Sequence, residues 1–403
     1  MKLKHKLGFI LALMAPVWSG AHAAGDNFKI GVLNDQSGLY ADITGPASVE
    51  VVKMAAEDHG GKVLGKPIVV VDADHQNKAD IGSLQARKWF ENENVDIVVD
   101  FANSAVALAV LEVAKQFDKT ILIASAGSSM LTGKACSANS VQWVYNTEAL
   151  ANTAVQALTD QGAKSWYFLT VDYAFGHAFE ADATKAINRL GGKVLGASRH
   201  PLGSNDLSSY LLQAQGSQAD AIAIASAGGD VTTAIKQANE FGVTAGKQKL
   251  VALNMQITDT HAIGLEAAQG LLLATGFEWN VNPEAEAWSR RFEKRVGRMP
   301  TMVQAGLYSA VSNYLKAVDA AGTTESKKAI AQLRGMKIDD FFARHAYLRE
   351  DGQLIHDMYV VKVKSPAESK GPWDYYEVLQ VVPGEKVFAT PGESKCPLLN
   401  KQS

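Results

Sequence analysis

The hexapeptide Gly-Gly-Lys-Val-Leu-Gly occurs twice, at 60–65 and at 191–196. Each copy follows an amphipathic segment, and each such segment follows the first strand-like run of a half-chain: Phe28–Asn34 for one copy, Ser165–Val171 for the other. A Gly-Gly helix stop before an ordinary strand start would explain either copy alone. Two copies at the same step of a strand–helix–strand series point to two lobes of one architecture. The 403 residues accommodate both. A cleft between two similar lobes is a place to close on a small ligand.

The periodicity fills in the series. Strands are expected over Phe28–Asn34, Ile68–Asp72, Val95–Phe101 and Thr120–Ser125, with helices over Gly45–His59, Ala79–Asn92 and Ala105–Phe117. The second half repeats the alternation. Its strands fall over Ser165–Val171, Lys193–Ser198, Ala219–Ala225 and Leu250–Leu253, its helices over Gly176–Leu190, Asp206–Gln215, Asp230–Phe241 and Thr260–Ala268. Strands this continuously apolar are buried on both faces, which makes a parallel sheet covered by helices. The last third reads as helices Glu284–Val296 and Val303–Ala321, then short strands Ala346–Leu348, Met358–Lys364 and Tyr375–Val381. Asp351-Gly352 is a hairpin turn signal. The expected fold class is α/β: two similar doubly wound parallel-sheet lobes joined by a multi-crossover hinge. The expected division puts 24–146 and 277–350 in the N-terminal lobe and 147–276 and 351–390 in the C-terminal lobe, with a tail, 391–403, returning to the N-terminal lobe.

Lys2, Lys4 and Lys6, the apolar run Leu7–Trp18 and Ala21-His22-Ala23 read as a cleaved secretory signal peptide over residues 1–23. The apolar run is too short to span a bilayer. Removing it takes away three Lys and no acid, so 36 basic residues face 42 acidic ones and the net charge goes from −3 to −6. An acidic surface argues against a nucleic-acid partner. Two cysteines in an exported chain, Cys136 and Cys396, make one disulfide the expectation, against two buried free thiols. So few cysteines and such scattered histidines leave no metal-ligand pattern.

Small polar residues follow the expected strands: Asn103-Ser104, Ser125–Ser129, Asp172–Gly176 and Ser226–Asp230. In open α/β sheets, ligands bind beyond the carboxyl ends of strands, where backbone N–H groups and helix N-termini favour an anion. Catalytic readings fail one by one. Gly127–Lys134 has one residue too many for a phosphate loop, and Ala135 stands where a Ser or Thr is needed. There is no G-x-S-x-G elbow and no H-E-x-x-H helix. Asp72, Asp74 and His75 cluster, but read better as a solvated strand edge than as an acid–base or metal group.

Several stretches resemble the periplasmic leucine/isoleucine/valine-binding protein family. They are Lys29-Ile30-Gly31-Val32 with Ser37-Gly38, Val52 to Gly61, Asp172 to Gly176, and Arg298, Pro300 and Tyr308 followed by Ala317-Val318 and Ala321-Gly322. Cys136, Trp143-Val144-Tyr145, Asp206 to Tyr210, Lys236 to Ala238, Gly371 to Tyr376 and Cys396-Pro397-Leu398 resemble a proteobacterial branch of it that includes receptors for aromatic and other organic acids. The resemblance runs from about 28 to 398. It implies a type I periplasmic-binding fold and a monomeric, periplasmic, non-enzymatic solute-binding component of an ABC importer, needing no cofactor and working with membrane permease subunits. An exported hydrolase or a ligand-sensing receptor subunit on the same fold is the alternative.

The resemblance also implies a site. A ligand carboxylate would meet Ser104, beside Asn103, and the backbone and hydroxyls of Ser125, Ala126 and Ser128. Tyr173 or Phe175 would close over the ligand, and Tyr40, Tyr145 and Gly228 complete the expected lining. Met255 is a departure: it stands about where amino-acid binders of the family place a carboxylate for the ligand ammonium. A buried ammonium without that partner is costly. Aromatic walls, a carboxylate anchor and Met255 together favour a small, aromatic carboxylic acid over a leucine-like amino acid. Trp143 reads as core.

Overall fold

Six of the seven residues of β1 (Phe28–Asn34) are buried, as a strand covered by helices on both faces must be. The computed structural model describes residues 27–243 and 246–399, so the expected signal peptide lies outside the described residues. After β1 come α1 (Gly45–Asp58), β2 (Lys62–Val63), β3 (Lys66–Asp74), α2 (Ala79–Asn92), β4 (Ile97–Asp100), α3 (Ser104–Phe117), β5 (Thr120–Ile123) and β6 (Ser140–Gln142). They form a sheet of order β2-β3-β1-β4-β5-β6, parallel except for the β2–β3 hairpin. The second lobe runs α4 (Thr147–Asp160), β7 (Ser165–Val171), α5 (Ala174–Arg189), β8 (Lys193–His200), α6 (Ser208–Gly216), β9 (Ala221–Ala225), α7 (Gly229–Glu240), β10 (Lys249–Ala252), α8 (Ile257–Ile263) and α9 (Leu265–Ala268). Its parallel sheet has the order β10-β9-β7-β8. Read from β8, this is the winding of β3-β1-β4-β5.

The repeated hexapeptide therefore sits at equivalent topological steps, between the helix after each lobe's first strand and the strand that pairs beside it. Its two conformations differ. In the first copy Leu64 and Gly65 take positive φ and close the tight β2–β3 hairpin. In the second, Lys193 to Gly196 opens β8 beside β7, with a bulge at Leu195.

The rest of the chain is β11 (Leu272–Thr275), α10 (Pro283–Val296), α11 (Met302–Ala321), α12 (Ser326–Gly335), β12 (Tyr347–Leu348), β13 (Leu354–Ile355), β14 (Met358–Val363), β15 (Tyr376–Val382) and α13 (Gly384–Val387). α10 and α11 return to pack on α1 of the first lobe, while β14 pairs with β11 and packs on α4 of the second. The crossing segments bind one another. Gln142 N donates to Gly352 O at 2.8 Å, Asn146 Nδ2 to Gln353 Oε1 at 3.0 Å, and His356 Nε2 lies 2.7 Å from Val144 O. Trp143, on the first crossing, is fully buried and its indole N–H donates to Ser309 Oγ at 3.0 Å, so it is core.

Two expectations are corrected, and one helix was not expected. The helix expected over Thr260–Ala268 is two helices, because Gly264 (φ 86°) turns the chain between α8 and α9. The strand expected over Thr120–Ser125 ends at Ile123, freeing Ala124 and Ser125 to bend toward the cleft and donate to Asp100 O. α4 was not foreseen: Thr147 to Val155 is buried at every position, although it carries the polar Thr147, Glu148, Asn152 and Thr153.

Cys136 and Cys396 are disulfide-bonded. The bond ties the C-terminal tail to the segment between β5 and β6. The same tail holds the second lobe, where Asn152 Nδ2 donates to Val387 O at 2.7 Å and Lys185 pairs with Glu393 at 3.6 Å. Replacing both cysteines by serine is expected to lower unfolding free energy by about 2–5 kcal/mol, since the closed loop is long. An unchanged chemical-denaturation midpoint would show that the bond carries no stability.

Candidate functional site

Side chains that follow seven strand ends converge between the lobes. From the first lobe come Tyr40, Ile43 and Thr44 after β1, Ala102 after β4, Ser125 after β5 and Tyr145 after β6. From the second come Tyr173 and Phe175 after β7, Ala227 after β9 and Asn254 after β10. The rings close around a cavity of about 10 Å³, so a ligand enters only when the lobes part.

Local structure presents each group. The buried Asp35 carboxylate accepts from Gly38 N (2.9 Å), Tyr40 N (2.8 Å) and Asn77 Nδ2 (2.6 Å), fixing the turn that holds Tyr40. Thr301 and Gln304 form the capping box of α11, and they also reach the cleft loop: Thr301 Oγ1 donates to Ile43 O at 2.9 Å and Gln304 Nε2 to Thr44 O at 3.1 Å. Tyr145 Oη donates to Ser125 O at 2.7 Å. Gly127 has no room for a side chain, since a Cβ would sit 2.4 Å from the Tyr145 ring and 3.0 Å from the Phe175 ring.

The two walls meet at Tyr40 and Tyr173, whose hydroxyls are 2.8 Å apart. Beside them Gly228 (φ 59°) lies against Leu39: a Cβ there would be 2.9 Å from Leu39 O. Burial pushes the hydroxyls of Tyr40, Tyr145 and Tyr173 up, so all three are neutral hydrogen-bonding groups. Asp230, near Tyr40 and Tyr173, is pushed up to about 6 by burial, against the hydrogen bond from Gly203 N.

Of the expected site residues, Tyr40, Ser125, Tyr145, Tyr173 and Phe175 line this cavity, and Gly228 forms its edge. The others stand behind it. Asn103 Oδ1 caps α3, accepting from Ala105 N and Val106 N at 2.9 and 3.3 Å. Ser104 Oγ accepts from Ser128 N at 3.1 Å, and Ser128 Oγ from Met130 N at 3.3 Å. Ala126 O accepts from Gln142 Nε2 at 2.9 Å, while neither Ala126 N nor Gly127 N finds an acceptor among the described residues. Met255 is buried off the cavity; its neighbour Asn254 lines it instead, with Nδ2 3.4 Å from Tyr145 Oη. Ile43, Thr44, Ala102, Ala227 and Asn254 were not chosen from sequence. All follow strand ends, which is the signal that could have found them.

A larger crevice of about 660 Å³ lies between Ser129–Lys134, α5 and the tail. It is the weaker candidate. From the second lobe it takes only the start of α4, the first turns of α5 and the tail, and most of its charges are paired, Arg349 with Asp351 and Lys185 with Glu148 and Glu393. His75, in the cluster weighed as an acid–base group, is buried and pushed down to about 4 by desolvation, hence neutral. Among the described residues no group of His, Cys, Asp and Glu is placed to hold a metal ion.

Two doubly wound lobes closing on a cleft at their strand ends define a solute-binding architecture. Residues 27–372 match the periplasmic binding protein family, and the chain belongs to it. It is similar to a periplasmic binding protein of Burkholderia mallei, 50% identical with a TM-score of 0.91 over 93% of this chain and 99% of that one. A branched chain amino acid ABC transporter periplasmic ligand-binding protein of Burkholderia xenovorans LB400 is 39% identical, with a TM-score of 0.83 over 93% of this chain and all of that one (100%). The Leu/Ile/Val-binding protein homolog 6 of Brucella melitensis is 26% identical over 81% of this chain and 84% of its own.

Gly228→Ala is expected to weaken binding of whichever solute stabilises the wild type by at least about tenfold, because the new methyl meets Leu39 O of the other lobe and a backbone at φ 59° disfavours any side chain. Wild-type affinity in this variant, measured by titration calorimetry, would mean that closure does not run through this contact.

Proposed function

We propose that this chain is the periplasmic receptor of an ABC importer, exported by its signal peptide, and that it closes on a small carboxylic acid with a flat, apolar body and does no chemistry on it. The observation that carries this reading is the make-up of the cleft. Four aromatic rings drawn from both lobes, Tyr40, Tyr145, Tyr173 and Phe175, wall a cavity that no Lys or Arg lines. Such walls favour an aromatic or apolar ligand body. The carboxylate would lie on the first lobe, taking the N–H groups of Ala126 and Gly127 near the end of β5. Nothing comparable awaits an ammonium. Asn254 is neutral, Met255 is apolar, and Asp230 already accepts from Gly203 N.

One observation favours a second reading, a branched-chain amino acid. Asp230 lies close enough to Tyr40 and Tyr173 to act on both hydroxyls electrostatically, and an opening of the cleft could bring an ammonium to it.

A thermal-shift screen separates the two. Ligand at 100 times its Kd adds roughly 2.7 kcal/mol of stability, so benzoate and related acids should raise the melting temperature clearly, and leucine, isoleucine and valine should not. Stabilisation by the amino acids alone would overturn the ligand class in favour of the second reading.

A further inference from the structure

The end of β4 carries two consecutive non-glycine residues in the left-handed region, Asp100 (φ 85°) and Phe101 (φ 67°). Such backbone is strained and persists only where the surroundings hold it. Here Asp100 O accepts from Ala124 N at 3.1 Å and Phe101 N donates to Leu33 O at 3.1 Å. The Asp100 side chain is fully buried. Its Oδ2 accepts from Asn34 Nδ2 at 3.0 Å, and its Oδ1 lies 2.6 Å from Ser125 Oγ. Ser125 Oγ lies 2.6 Å from Phe101 O as well. Ser125 lines the cleft.

A serine hydroxyl has one proton, and two oxygens 2.6 Å apart need a proton between them. Ser125 cannot supply both contacts. Phe101 O is a carbonyl and has no proton to give, so Ser125 donates to it. The proton on the other contact must then come from Asp100. The groups facing this carboxyl are all uncharged: Asn34 and Ser125 by hydrogen bonding, and Ser48 and Tyr145, itself neutral, by proximity. Burial acts in the same direction, raising Asp100 above the usual carboxylate range.

We propose that Asp100 is a protonated carboxylic acid at neutral pH, donating to Ser125 Oγ, and that its neutrality sets the cleft's selectivity by letting an anionic ligand lie above it. Asp100 is a positioning residue: it fixes the Ser125 proton on Phe101 O, so Ser125 gives a ligand no proton and the ligand carboxylate is left to the N–H groups of Ala126 and Gly127. The consequence for ligands rests on the carboxylic-acid reading above; the protonation state does not. When Asp100 ionises, its charge faces the ligand carboxylate across Ser125, and binding of the acid weakens.

The test is an infrared difference spectrum of wild type minus Asp100→Asn, with benzoate affinity followed over the same pH range. At neutral pH the difference should show a carboxylic-acid C=O band. Asp182, Asp230 and Asp259 are also pushed up by burial, to about 6, 6 and 7, but they cancel in the difference. Absence of the band would overturn the proposal. If Asp100→Asn does not fold, wild type labelled with ¹³C in its aspartate carboxyls gives the answer between about pH 7 and 8, where those three are mostly ionised; an aspartic-acid band in excess of theirs must be present, and its absence overturns the assignment. Benzoate affinity should fall at least about tenfold at the pH where the band disappears, and the Asn variant should show no such fall. A band that disappears with no change in benzoate affinity would overturn the selectivity role. If benzoate binds at no pH, the ligand class fails, and the infrared band alone decides the protonation of Asp100.

Discussion

The hydroxyl contact between Tyr40 and Tyr173 is where the two lobes meet, and the rest of the site is arranged around it. Tyr40 sits on a turn pinned by the buried Asp35 carboxylate, and Tyr173 on the turn that opens α5. Neither side chain could reach the other unless both sheets pointed their carboxyl ends at one cleft. That orientation follows from two parallel, doubly wound lobes of the same winding. Backbone approach then sets the limits: Gly228 against Leu39, and Gly127 under the rings of Tyr145 and Phe175. A single neutral hydrogen bond is worth only about 0.5–1.5 kcal/mol, so a ligand held by both walls has room to dominate the balance between open and closed lobes.

The hinge binds its crossing segments to one another and the tail to both lobes. Gln142, Asn146, Gln353 and His356 bind the crossing segments to one another through buried hydrogen bonds. The disulfide anchors the tail to the first lobe, and Asn152 and Lys185 hold the same tail to the second. In the large crevice beside the tail, Arg349 is paired with Asp351 and Lys185 with Glu148, which fits a structural part better than a second ligand site.

Much of this was legible in the sequence, and the reason differs by element. β1 and β7 were found at their observed limits because both are apolar nearly throughout, as strands buried on two faces must be. The repeated hexapeptide marked equivalent steps of the two lobes, although one copy is a hairpin and the other a strand; topology was encoded there and local conformation was not. α4 was missed although its apolar residues keep a helical period as marked as that of α5, which was found. In the site, aromatic residues after strand ends could be read directly, so Tyr40, Tyr145, Tyr173 and Phe175 were found. Asp100 could not, since its significance lies in a shared proton between groups brought together only by the fold. Ser104 and Ser128 are the reverse case. Strand-end serines look like ligand groups, but here one accepts from the other's backbone and the second caps a short 3₁₀ turn.

The central claim is that the lobes close on a carboxylic acid through the rings of both walls. The most direct measurement is a crystal structure grown with benzoate and leucine in equal excess. The account predicts benzoate between the lobes, its carboxylate on the backbone N–H groups of Ala126 and Gly127 and its ring against Tyr173 and Phe175. Leucine in that cleft, with its ammonium on Asp230, would contradict it.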